Sequence, residues 1–344
     1  MAYEKNLAVL KQWVENRTFT GKHTNLREEF AACKTEPERV NILRHVFNDC
    51  IAEFETIPLW PKGQVPNWRP EYELQNEPQI AFFPAEGGGK HGCILVAPGG
   101  GYETKVSGTE GYPIINRYTK AGFHCALLDY RLKPYSVFTA LMDAHRAVRM
   151  LRYLADELEI IPDKIGMNGG SAGGNLTCLT AVHYDEGDPD AADPVERCSS
   201  KINAAIVMYG AGTAVAYPGS MANTGRKLTD EPEVPREKKQ DGPLPPCFVE
   251  KELHEKLYYL SAEKWVTPDT CPFFLWQSSD RDDPRNLFTF AKELVDAGVR
   301  IEVHIYPFGP HGLALADGIG HMPRNDHVAH WSEQAIEWLK LYQF

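Results

Sequence analysis

The sequence predicts an α/β fold, a mostly parallel sheet with helices on both faces, preceded by an N-terminal helical extension. Three observations predict it. From residue 79 onward, short runs that are apolar at nearly every position recur along the chain. Amphipathic segments separate most of them, and strands apolar throughout belong to sheets covered on both sides. Upstream of residue 57, only helical periodicity is visible.

Taken in order, residues 3–16 and 36–53 read as helices. In TEPERVNILRHVFNDCIAEF the apolar residues Val40, Ile42, Leu43, Val46, Phe47 and Ile51 fall at three- and four-residue steps. Thr35 followed by Pro37 supplies a helix start. IPLWPKGQVPNWRP, residues 57–70, holds too many prolines for a regular element and marks the seam between an extension (1–56) and the main domain (57–344). The strand runs follow: QIAFF (79–83), GCILVAP (92–98), FHCALLDY (123–130), KIGMN (164–168), INAAIVMYG (202–210), PFFLWQS (272–278) and RIEVHIYP (300–307). Helical segments include 137–158, 284–297 and 327–342. Residues 213–260, rich in Pro, Lys, Glu and Gly, lack a period and form an insertion between core strands, either a lid over a pocket or a solvated loop.

The bulk properties narrow the function. A formal net charge of -11 argues against nucleic acid or an anionic membrane as partner. The N-terminus lacks a basic region followed by an apolar core, and no apolar run approaches the ~20 residues of a membrane span. The eight cysteines have no CxxC spacing, and Cys93 and Cys125 lie inside strand runs. Buried, reduced thiols in a cytoplasmic protein are the expectation.

One stretch carries chemistry. Gly169-Gly170-Ser171-Ala172-Gly173 joins the strand KIGMN to the helix beginning GGNLTCLTAVHY. Gly-x-Ser-x-Gly between a strand and a helix is the pattern of a nucleophile elbow, with Ser171 at the tip and the Ala172 amide free to face a developing oxyanion. Phosphate-loop alternatives fail, because neither Gly-x-x-x-x-Gly-Lys nor Gly-x-Gly-x-x-Gly with a following acid is present. A second cluster, VAPGGGYET (96–104), ends an earlier strand and offers the Gly100 and Gly101 amides as the other half of an oxyanion hole. Pro98 stands where lipases carry histidine. Tyr102, next in line, is a candidate substrate contact. A serine needs a base. His311, in the loop PFGPHGLAL after the last strand, is the candidate; His304 lies within a strand, and His145 and His183 lie within helices. His321, His327 and His330 cluster with Asp326, where helix-start and surface roles compete with metal binding. The acid is expected after the preceding strand, in SSDRDDP, where Asp280 comes first and is preferred. Asp282 remains an alternative, and Asp283 before Pro284 suits a helix cap.

With these residues assigned, the chain resembles the α/β-hydrolase superfamily, and within it the bacterial acetyl-esterase/xylan-esterase-like group. The resemblance runs from about IPLWPKG to the C-terminus, through VAPGGGYET, EGYPIINRYTKAGF, GGSAGGNL and PFGPHGLAL. It implies a serine esterase that uses an acyl-enzyme, acts on short acetyl esters of sugars such as xylo-oligosaccharides, and needs no cofactor or metal. A general carboxylesterase, a peptidase or amidase of the same fold, and a hydrolase-like binding protein are the rivals. The family commonly has His-Thr-Ala-Asp-Asp after the late strand; here Gln277-Ser278-Ser279-Asp280-Arg281 keeps only the first Asp. Residues 1–56 lie outside the resemblance, where packing against the domain or a homo-oligomer contact are the ordinary roles.

Overall fold

The computed structural model describes residues 3–16, 18–20, 25–210, 212, 258–280, 282–318 and 322–344. The insertion expected over 213–260 falls almost wholly outside them, as do Cys247 and His321. Three helices come first: α1 (Glu4–Glu15), α2 (Leu26–Ala32) and α3 (Glu36–Ile51). Thr35 starts α3 through a reciprocal capping box, its hydroxyl accepting the Glu38 N–H while the Glu38 carboxylate accepts the Thr35 N–H.

Eight strands form one sheet in the order β1-β2-β4-β3-β5-β6-β7-β8. They are β1 (Thr56–Pro58), β2 (Gln79–Phe83), β3 (His91–Ala97), β4 (His124–Asp129), β5 (Ile160–Gly170), β6 (Ala204–Met208), β7 (Phe273–Ser278) and β8 (Ile301–Tyr306). β1 and β2 pair antiparallel with their neighbours, and every other pairing is parallel. Parallel neighbours need crossovers. Among the described residues these include α4 (Ser107–Glu110) and α5 (Tyr112–Lys120), α6 (Val137–Tyr153), α7 (Ala172–Val182) and α8 (Arg285–Asp296). The chain closes with α9 (Asp326–Ala329) and α10 (Trp331–Leu341).

Alternation along the strands divides the interior into two cores. Ile80, Phe82, Cys93 and Leu95 face α6, α7 and α8, whereas Ala81, Phe83, Ile94 and Val96 face α1, α3, α5 and α10. The N-terminal helices are built into the second core. Trp13 meets Phe54 and Tyr112 edge-on at 5.0 and 4.9 Å. The Asn6 amide donates to the carbonyls of Glu55 and Phe82 at 2.8 Å each. From α3, Arg44 donates to the carbonyls of Glu103 and Lys133 at 2.7 and 2.6 Å. Two buried ion pairs, Lys105–Asp129 and Arg131–Asp143, each at 2.6 Å, fasten the segments that follow β3 and β4.

Candidate active site

The C-terminal ends of β3, β5, β7 and β8 deliver the candidate residues to one edge of the sheet, where open α/β sheets place ligands. β5 runs straight into α7 through Ser171, whose φ of 52° and ψ of -117° lie where a side chain is strained. That strain persists because α7 is wedged against β3: a Cβ at Gly173 would stand 1.9 Å from the Ala97 carbonyl oxygen. The first bond of the α7 ladder runs from the Asn175 N–H to the Ser171 carbonyl, at 2.9 Å. The Ala172 N–H therefore belongs to the end of the helix that its own ladder does not use.

After β3 the chain turns tightly over Gly99–Gly101. Gly100 has φ 131°, and its carbonyl accepts the N–H groups of Glu103 and Thr104 at 3.0 and 3.1 Å. Any Cβ there would meet the Thr104 carbonyl oxygen at 2.4 Å, so only glycine closes the turn. The turn runs beside the elbow, since a Cβ at Gly99 would come within 2.9 Å of the Ser171 Cβ. The Gly99 N–H is occupied by Glu110 at 2.7 Å. Gly100 and Gly101 follow Gly99 directly on the turn that abuts the serine.

His311 lies in the loop after β8, with Nε2 2.8 Å from the Ser171 Oγ. Its Nδ1 meets the two carboxylate oxygens of Asp282 at 3.0 and 2.9 Å. A serine hydroxyl, an imidazole and a carboxylate are thereby joined in series, the arrangement in which the base is oriented by an acid.

The expectation of Asp280 at the ring does not match this geometry. Asp280 Oδ1 accepts the Gly309 N–H at 3.0 Å. The reason is position along β7: Asp280 is still close to the strand end and faces the first turn after β8, to which Ser278 also donates at the Gly309 carbonyl (2.6 Å). Two residues further, the loop has risen far enough above the sheet for Asp282 to reach the imidazole. Asp283 accepts from the Arg285 N–H at 3.0 Å and pairs with its guanidinium, but the N-cap of α8 is Pro284, so Asp283 sits one residue ahead of the capping position expected of it.

Tyr102 also departs from expectation. At φ 59° the chain turns its ring inward, where it is 2% exposed and donates its hydroxyl to Asn175 Oδ1 at 2.8 Å. It props the glycine turn from below and presents no surface to a substrate. Trp276 is likewise wholly buried. In the histidine cluster, the His327 ring packs edge-on against Tyr306 and His330 faces Glu333. Among the described residues no three His, Cys, Asp or Glu side chains converge as metal ligands.

Two residues near the serine escaped the sequence reading. Glu110, 2% exposed, accepts the Tyr209 hydroxyl at 3.0 Å besides the Gly99 amide. Burial pushes its carboxyl pKa up, partly offset by Gly99, Tyr209 and the nearby His311. Burial likewise drives the Tyr209 phenol well above its usual range, and the adjacent Glu110 adds to this. EGYP held Glu110 in plain view, but nothing in its spacing tells a buried acid from a surface one.

The sheet order, the strained serine between β5 and α7, and the facing histidine and aspartate define an α/β-hydrolase. Residues 81–284, more than half of the chain, match the BD-FAE family model, and the chain belongs to that family. The match spans Ser171 and Asp282 and stops short of His311. The chain is 30% identical over 237 residues to endo-1,4-beta-xylanase B of Butyrivibrio fibrisolvens, covering 66% of this chain and 33% of that protein. It is 31% identical over 103 residues to the acetylxylan esterase of Xylanibacter ruminicola, covering 30% and 21% of the two chains. It therefore spans a third of the length of the first and a fifth of the second. Among solved structures, the acetyl ester-xyloside bifunctional hydrolase from Caldicellulosiruptor lactoaceticus superposes with a TM-score of 0.70 at 30% identity, covering 84% of this chain and 97% of that one.

Proposed function

We propose that the protein is a serine esterase that removes acetyl groups from small acetylated sugars through an acyl-enzyme on Ser171. The observation that carries this reading is the series Ser171–His311–Asp282, joined at hydrogen-bond distances over a strained elbow. His311 Nε2 takes the proton as Ser171 Oγ attacks the ester carbonyl. Asp282 holds the ring and stabilises its cation. The tetrahedral oxyanion is received by the N–H groups of Ala172, Gly100 and Gly101. His311 then hands its proton to the departing alcohol, and water repeats the cycle on the acetyl-serine, releasing acetate. No step calls for a cofactor. The sugar-ester preference draws its support from the acetylxylan esterase and the acetyl ester-xyloside hydrolase the chain resembles. The cytoplasm is proposed as the compartment, supported by seven free cysteines among the described residues.

The test compares kcat/KM for p-nitrophenyl acetate, butyrate and octanoate, with acetylated xylo-oligosaccharides alongside and Ser171→Ala as the blank. Acetate is expected to be best and octanoate at least tenfold worse, since each ill-fitting methylene costs about 1–3 kcal/mol. An optimum at octanoate, or no acetate release from the sugars, favours a general carboxylesterase. Activity surviving in Ser171→Ala would sink the nucleophile assignment.

A further inference from the structure

Glu110 ends α4 directly beneath the elbow and is not needed by the steps above. Its Oε2 accepts the Gly99 N–H and its Oε1 accepts the Tyr209 hydroxyl. The Tyr209 oxygen in turn accepts the Ala314 N–H at 3.0 Å, and the Tyr209 ring stands edge-on to His311 with centroids 5.1 Å apart. Two glycines make room for the carboxyl, and a third lies within van der Waals reach of it. A Cβ at Gly170 would lie 2.5 Å from Oε2, one at Gly99 2.7 Å from the same oxygen, and one at Gly312 3.9 Å from Oε1. One side chain therefore abuts the turn carrying the oxyanion amides, the strand end carrying the nucleophile and the loop carrying the base. Two donors aimed at two oxygens match an ionised acid, which only accepts.

We infer that Glu110 is a positioning residue for the hydrolysis, acting as a buried anion that fixes the Gly99 turn and, with Tyr209, supports the imidazolium that forms on His311. This rests on Ser171 and His311 being nucleophile and base. The titratable groups facing this pair are few. Asp282 and Tyr209 approach the His311 ring, and Tyr209 and His311 face Glu110. Asp282 stays in place in every variant below, so a change in pH dependence on altering Glu110 reports Glu110.

The experiment measures two pH profiles: kcat and KM for p-nitrophenyl acetate, and the rate of Ser171 labelling by a fluorophosphonate. Wild type, Glu110→Gln, Glu110→Asp and Tyr209→Phe are compared. Glu110→Gln is expected to lower kcat by about tenfold or more with little change in KM, because pre-set amides act in the transition state. Removing the anion also disfavours the imidazolium, so the acid limb of both profiles should move to lower pH, by roughly half a unit. Glu110→Asp keeps the charge and should hold the acid limb near wild type. A packing group alone would lower kcat or stability and leave the acid limb where it was, and that result overturns the proposal. So does a wild-type kcat in Glu110→Gln. Should that variant fail to fold, Tyr209→Phe decides: unchanged kcat and profile overturn the proposal, and a severalfold loss of kcat at constant KM supports it. Absence of fluorophosphonate labelling in wild type overturns the underlying assignment of Ser171, and Glu110 with it; labelled wild type with an indifferent Glu110→Gln overturns only the role of Glu110.

Discussion

Asp282→Asn, set against Asp280→Asn, is the sharpest perturbation of the proposed chemistry. Asp282 meets His311 Nδ1 with both oxygens, so it accepts the ring N–H in either orientation and leaves the Nε2 lone pair toward Ser171. An asparagine can turn its amide donor to Nδ1, which places the ring proton on Nε2 and deprives the serine of a base. At a deeply buried site this substitution costs about ten-thousand-fold in kcat. Here the side chains of His311 and Asp282 are 46% and 23% exposed, so solvent screens part of the charge effect. The expected loss is nearer a hundred- to a thousand-fold, or about 3–4 kcal/mol of barrier. Asp280→Asn, by contrast, retains an oxygen for the Gly309 N–H and should stay within a few-fold of wild type. The assay is kcat/KM for p-nitrophenyl acetate, with circular dichroism to verify folding. A larger loss in Asp280→Asn than in Asp282→Asn would refute this reasoning.

Two predictions concern stability. The His145 Nε2 is sealed from solvent without a partner, and burial pulls its pKa down from 6.5 to about 4. A depressed histidine binds its proton more readily in the unfolded chain, so its contribution is intact above about pH 6.5 and fades as the pH falls toward 4, with about 2 kcal/mol lost by pH 5. Urea unfolding at pH 7 and pH 5 should show this gap in wild type and a smaller one in His145→Gln; an equal gap in both would exclude His145 as the cause. Gly173→Ala drives a methyl to 1.9 Å from the Ala97 carbonyl, backbone that cannot step aside, so α7 must shift at a cost of about 3 kcal/mol or more. A wild-type melting temperature in this variant would contradict the wedge described between α7 and β3.

Much of this fold was legible in the chain because its strands are covered on both faces and so are written as unbroken apolar runs. GCILVAP and FHCALLDY became β3 and β4. β1 was not legible: three residues ending in Pro58 carry neither alternation nor length. α2 was missed for a similar reason, with seven residues too short to establish a period. At the site, Ser171 and His311 could be singled out because glycine-rich turns advertise backbone geometry. The acid could not, since Asp280, Asp282 and Asp283 differ only in how far the loop has climbed from β7, a distance that chain position does not encode. Tyr102 shows the same limit. An aromatic after three glycines can point either way, and a φ of 59° sent it inward.

The grip of Arg44 on the Glu103 and Lys133 carbonyls gives the N-terminal helices a meaning that family boundaries hide. The BD-FAE match opens inside β2, at residue 81, so its border cuts between Thr56 and Ala81, which are partners in the sheet. It also leaves out Trp13, Phe47 and Phe54, which fill the same core as Tyr112 and Phe83. The inherited module and the mechanical body are therefore different objects. The helices work as a splint on the glycine turn, gripping it through Arg44 two residues past Gly101. Drift at Arg44, in a stretch with no chemistry of its own, would then be read by selection as a change in rate.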